Sequence, residues 1–316
     1  MAGPDDTHFR IVSRAIAEGR VVPLIGAGVN MTGRPSGEAW QQGRYLPSGN
    51  ELAAYLAAAF DFPAQERQDL LRVAQYISVM TGSGPLYEKL HQLFDADYAP
   101  NKVHTLLATI PQYLRRQDPV RYQLIVTTNY DDALERAFLE ANEEFDLVSY
   151  VADGRYRGKF LHLPPNGRPR LIERPNEYDA LSFSERPVIL KIHGAIDRLD
   201  SERDSYVITE DHYIDYLTRT DLSNLVPVTL AARLRKSHFL FLGYSLLDWN
   251  LRVILYRIWG EQALTYRSWS VQLHPSRLEL EFWRKRGVEI FDISLDGYVE
   301  ALATHLAALD SVGAPT

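Results

Sequence analysis

The sequence predicts an α/β protein built on a doubly wound parallel sheet, with a helical module inserted into it. Two observations carry that expectation. Four apolar runs, VVPLIG (21–26), YQLIVTT (122–128), PVILKIHG (187–194) and SHFLFLGYS (237–245), are near-continuous instead of alternating. That is the pattern of strands covered on both faces. Helical patterns lie between them, and strand–helix alternation of this kind closes into a parallel sheet.

Taken in order, THFRIVSRAIAEG (7–19) reads as the first helix and VVPLIG as the first strand. Residues about 36–118 hold GNELAAYLAAAF, ERQDLLRVAQYISVM, PLYEKLHQLF and NKVHTLLATIPQYL, all helical in period and without a convincing strand. They read as a helical module inserted after the first strand–helix unit. YQLIVTT then leads into the helix YDDALERAFLEAN (130–142). Residues about 145–186, rich in Pro, Gly, Arg and Asn, read as an irregular insert or a short β-ribbon. After PVILKIHG and SHFLFLGYS comes the helix LLDWNLRVILYRIWGE (246–261), whose apolar stripe (Leu247, Leu251, Ile254, Leu255, Ile258, Trp259) reads as core packing before interface. The strands SWSVQL (268–273) and VEIFDIS (288–294) flank the helix SRLELEFWRKRG (276–287). The whole, residues 1–316, reads as one Rossmann-like domain with two inserts.

Composition narrows the function. The chain has 34 Lys and Arg against 41 Asp and Glu, a formal net charge of −7, which argues against a sequence-independent duplex-binding surface. There is no cysteine, so disulfides, thiolate zinc sites, iron–sulfur clusters and cysteine nucleophiles are excluded. No apolar run approaches the ~20 residues that span a bilayer, and no secretory signal pattern opens the chain. A cytoplasmic protein is the plain expectation.

Ligands of open α/β sheets bind beyond the carboxyl ends of the strands, and four strand ends here carry unusual residues. The first is GAGVN (Gly26, Ala27, Gly28, Val29, Asn30), where glycines let a backbone approach a phosphate and a helix N-terminus would attract it. A tight strand-to-helix turn explains this motif equally well. The second is Thr127, Thr128, Asn129, Tyr130, Asp131 and Asp132. One short polar residue suffices to cap a helix, and the excess is what suggests a site. The third is Lys191, Ile192, His193 and Gly194; the fourth is Gly243, Tyr244, Ser245 and Asp248. Each alone has a structural explanation, but all four share one edge of one sheet.

The ordered set GAGVN, TTNYD, KIHG and FLGYSLLDWNLR resembles the sirtuin-like superfamily, in particular its bacterial NAD-consuming branch from antiphage defence systems. The resemblance implies that Gly26, Ala27 and Gly28 hold the NAD pyrophosphate, that Asn129 and Asp131 sit beside the nicotinamide ribose with Thr128, and that His193 is catalytic. It places Gly243, Ser245 and Asp248 near the dinucleotide. Asn30 stands where the family often has Ser. The two Cys-x-x-Cys pairs of the deacylase zinc ribbon are missing, which argues against protein deacylation and against zinc.

What the resemblance implies is an NAD+ glycohydrolase that depletes NAD in abortive-infection defence, with Asn129, His193 and Asp131 as catalytic residues and NAD+ as substrate. Self-assembly and a HerA-type ATPase partner are the expected means of control, with an Argonaute-like partner less favoured. The competing readings are a non-catalytic NAD or ADP-ribose sensor, a deacylase or ADP-ribosyltransferase, and a nuclease-like or scaffold role resting on Asp131, Asp132 and Asp248.

Overall fold

The computed structural model describes residues 3–63, 67–117, 121–218, 226–244 and 266–312. Nine strands form one sheet: β1 (Val21–Ile25), β2 (Leu124–Thr127), β3 (Asp146–Tyr150), β4 (Phe160–Leu163), β5 (Arg170–Ile172), β6 (Val188–Lys191), β7 (His238–Leu242), β8 (Ser268–Gln272) and β9 (Val288–Asp292). Their order is β5-β4-β3-β6-β2-β1-β7-β8-β9, parallel from β3 through β9 and antiparallel only at β4 and β5. The six strands read from apolar runs are all present. The segment 145–186 contributes more than a ribbon, because β3 joins the main sheet in parallel beside β6.

Ten α-helices lie among the described residues: α1 (Asp6–Ala17), α2 (Gly49–Ala59), α3 (Leu70–Thr81), α4 (Ser83–Phe94), α5 (Lys102–Gln117), α6 (Ala133–Glu140), α7 (Glu210–Thr218), α8 (Val228–Arg235), α9 (Arg277–Arg284) and α10 (Leu295–Val312). Local chemistry starts several of them. The Asp5 carboxylate accepts from the His8 amide, and Ser48–Glu51 and Ser276–Glu279 form reciprocal capping boxes. The expected helix 246–261 with its apolar stripe lies outside the described residues.

Three apolar clusters give the layers. One face of the sheet packs against α1, α5, α6 and α10 through residues such as Val12, Leu107, Phe138 and Leu302. The other packs against α7, α8 and α9 through Tyr216, Leu230 and Trp283. Helices α2 to α4 form their own cluster around Leu56, Ile77 and Leu90, and it seats on Tyr130, Ile196, Tyr206 and Ile208, residues that follow β2 and β6. Helix α5 packs on the sheet as the crossover from β1 to β2, while α2–α4 stand over the carboxyl edge. The chain leaves β1 for β2 on one side and takes up β7 on the other, so the strand order reverses at β1. That is where α/β sheets open a crevice.

Candidate functional site

The crevice is a cavity of about 310 Å³ beyond β1, β2, β6 and β7. Ala27, Gly28, Asn30, Thr128, Asn129, Asp131, His193 and Gly243, drawn from all four strand ends, line it. Gly26 sits beneath, its amide donating to the Leu242 carbonyl at 3.1 Å. Ser245 and Asp248 lie outside the described residues.

The glycine turns are built differently from the expectation. Residues Ala27–Met31 form a five-residue 3-10 turn, not the start of an α-helix. The Gly28 amide donates to the Gly243 carbonyl at 2.9 Å, so it is already engaged. A β-carbon on Gly28 would lie 2.5 Å from that carbonyl oxygen, and one on Gly243 (φ +67°) would lie 2.2 Å from the Val29 nitrogen. These two glycines are required because the turns after β1 and β7 touch backbone to backbone. Asn101 clamps the same turn, its Nδ2 donating to the Val29 carbonyl at 2.7 Å. Asn30 donates to the Pro47 carbonyl at 2.8 Å, and its buried Oδ1 has no partner among the described residues.

The turn after β2 answers what its polar residues are for, one at a time. Thr127 Oγ1 donates to the Ile25 carbonyl at 3.2 Å and accepts from the Asn129 amide at 3.0 Å. Thr128 accepts from the Tyr244 hydroxyl at 2.6 Å. The Tyr130 hydroxyl donates to the Val207 carbonyl at 2.8 Å. Asp131 Oδ1 accepts from the Ala133 amide at 3.1 Å at the start of α6, and Asp132 pairs with Arg198 at 2.7 Å. Asn129 is the exception. Its side chain is buried, and neither Oδ1 nor Nδ2 has a hydrogen-bond partner among the described residues.

His193 follows β6 in a turn, its carbonyl accepting from the Val207 amide at 2.9 Å. The ring is buried, its Nδ1 is 3.5 Å from the Tyr213 hydroxyl on α7, and its Nε2 has no partner among the described residues. Burial lowers its pKa to about 3, so the imidazole is neutral at physiological pH. Burial raises the Asp131 carboxyl to about 6, opposed by the Lys191 charge and the Ala133 amide. Lys191, fully buried at the end of β6, donates to the Asp131 carbonyl and to Glu135 Oε1 at 2.6 Å. It ties the β2 turn to α6.

Sequence reasoning missed several contributors. Lys191 and Tyr244 stood inside quoted motifs, but nothing in a linear pattern says where their side chains go. Tyr213 reaches the cavity from α7, Leu70 and Phe94 from the inserted helices, and Pro47 from the loop before α2, and only the fold brings them there. A second cavity of about 350 Å³ lies on the β8–β9 side, lined by Gln272, Ser294 and Asp296. It shares Gly28, Gly243 and Tyr244 with the first. Among the described residues no group of three His, Cys, Asp or Glu is placed to hold a metal ion, and no helix is long and apolar enough to cross a membrane.

The profile of the SIR2-like domain matches residues 123–291, more than half of the chain. The chain belongs to the SIR2-like domain family. Within that family it is similar to the NAD(+) hydrolase ThsA of Enterococcus faecium, 27% identical over 245 residues that cover 77% of this chain and 41% of that protein. It is similar to the NAD(+) hydrolase ThsA of Acinetobacter baumannii at 28% over 211 residues, covering 66% and 35%. It is also similar to the defense-associated sirtuin 2 of Bacillus subtilis at 23% over 230 residues, covering 71% and 19%. The chain spans less than half the length of each of these relatives. The family match covers the strand ends after β2, β6 and β7, and the sirtuin-like resemblance holds at the level of the family.

Proposed function

We propose that the chain is an NAD+ glycohydrolase of antiviral defence, cleaving the nicotinamide–ribose bond to release nicotinamide and ADP-ribose. The observation that carries the reading is the Asn129 amide, buried and without a partner among the described residues, in a turn whose other polar side chains all have partners. Leaving a buried amide unpaired costs ~1–3 kcal/mol, which a fold sustains where a ligand completes the bonds. The names of the relatives support NAD as that ligand.

The chemistry follows from the three side chains. The nicotinamide ring nitrogen already carries positive charge, so it leaves with the electron pair of its glycosidic bond and needs no acid. Positive charge then grows on the ribose, and the ionised Asp131 carboxylate stabilises it. Asn129 orients the ribose hydroxyls or the attacking water. Neutral His193 accepts the proton that the water gives up. The water oxygen closes on the ribose carbon, and the products are nicotinamide, ADP-ribose and a proton. The paired cavities suit a dinucleotide lying across Gly28, Gly243 and Tyr244, with its adenosine half toward Gln272 and Asp296.

Such an activity must be restrained in its own cell, and self-assembly with a HerA-type ATPase partner is the form of control we assign to it. The test is nicotinamide release from NAD by the purified chain, alone and in its assembly. Asn129→Ala and His193→Ala are expected to abolish release while circular dichroism stays unchanged. Wild-type-like release by either folded variant refutes the assignment, and binding of NAD without cleavage in every assembled state makes the chain a sensor.

A further inference from the structure

The largest cavity among those described, about 590 Å³, is not the candidate active site. It lies over the β3–β4 pair, where the registers Leu147↔Leu163 and Ser149↔Leu161 put four side chains on one face. The opposite face of the same pair is fully packed by Val148, Tyr150 and Phe160. Helix α6 walls one side with Leu139 and Glu135, and the segment after His193 walls the other with Ile196 and Arg203. Its volume falls in the range of small-ligand pockets, ~300–1,000 Å³.

The polar groups of this cavity favour one kind of occupant. Its lining residues include five carboxylates and two arginines, and a third arginine, Arg115, holds Glu143 at 2.5 Å, which leaves Glu135 and Glu144 as the carboxylates no arginine pairs with. Both lining arginines are already engaged, Arg198 by Asp132 at 2.7 Å and Arg203 by Asp197 at 3.0 Å. Glu135 is 8% exposed, and Lys191 holds its Oε1 at 2.6 Å while the buried Oε2 has no partner among the described residues. A carboxylate oxygen so placed demands a donor. Asp131 faces the first cavity and Asp132 and Glu135 face this one, so the beginning of α6 separates two sites.

We propose that this cavity is a second ligand site, taking a small organic cation whose ammonium or guanidinium head meets Glu135 and whose apolar body lies over Leu147, Leu161 and Leu163. The proposal stands whether or not the chain cleaves NAD.

The test is titration of benzylamine into the full chain by calorimetry, with benzyl alcohol as the uncharged body. Benzylamine is expected to bind, and benzyl alcohol about tenfold or more weaker, since a charge-assisted bond is lost. Leu161→Trp, which fills the cavity from a half-buried strand position, is expected to abolish binding, and Glu135→Gln to weaken it about tenfold or more. Leu163→Trp fills the same space from the same face should Leu161→Trp not fold. Failure of benzylamine to bind, equal affinity for benzyl alcohol, or binding undiminished by the tryptophan variants overturns the proposal.

Discussion

Replacing Asn129 by Leu is expected to stabilise the ligand-free protein while removing its activity. The wild-type side chain is 6% exposed, and both of its amide atoms are buried without partners among the described residues. An unpaired buried polar group costs ~1–3 kcal/mol, whereas Leu places apolar atoms in a similar volume and leaves no polar group unpaired. The backbone bond from the Asn129 amide to Thr127 Oγ1 at 3.0 Å is independent of the side chain and is retained. Taking ~2 kcal/mol as the gain, and an unfolding entropy of ~2.1 cal/mol/K per residue over 316 residues, the midpoint rises by roughly 3 °C. The assay is thermal unfolding with and without NAD, alongside nicotinamide release. Asn129→Leu is expected to unfold higher without NAD, to lose the shift that NAD gives the wild type, and to release no nicotinamide. A midpoint lowered by several degrees would refute the reasoning, because it would mean that the amide holds the turn together and is not held in reserve for a ligand.

Two other expectations rest on the same region. Asp131 has its pKa raised from 3.8 to about 6 by burial, so the folded state binds this proton more tightly than the unfolded chain does. Its ionisation then lowers stability as pH rises from about 4 to about 6, by ~3 kcal/mol in all, and the cost is constant above that. Because the ionised form serves the reaction, kcat/KM should fall roughly tenfold per pH unit below about 6. His193, neutral above about 3, adds no second limb in that range; a flat profile from pH ~5 to ~8 would remove Asp131 from the mechanism. Lys191→Met leaves Glu135 buried without its cation and should cost ~3–5 kcal/mol. The double variant Lys191→Met with Glu135→Leu should recover most of that in urea unfolding, and equal losses in the single and double variants would contradict the pairing.

The parallel strands were legible because both of their faces are covered, which leaves unbroken apolar runs such as LIVT and VILK. Strands β4 and β5 hid because they are short and packed on one face, so FLHL alternates between buried and half-buried positions. Helical periodicity marked α5 but could not say what it packs on. Its place on the sheet depends on contacts with α1 and α10, which are distant in sequence. The site residues were legible as types at strand ends, and eight of them line one cavity. Their individual roles were not legible. GAGVN read as a backbone opened toward a phosphate, yet Gly28 and Gly243 are small because they meet each other.

The polar turn after β2 shows why a motif overstates a site and a structure narrows it. Six successive positions, Thr127 to Asp132, carry side chains able to bind a ligand, but a fold must satisfy buried polar groups before it can offer any of them. Thr127, Thr128, Tyr130, Asp131 and Asp132 each spend a bond on the protein itself. Those bonds fix the turn against β1, β7 and the segment following β6. The side chain they hold rigid is Asn129, unsatisfied among the described residues, in a cavity that His193 also lines with an Nε2 that has no partner among them. The proposed reaction, which must orient a ribose and a water within a fraction of an ångström, needs that division of labour, in which five positions supply rigidity and one amide is kept for the substrate.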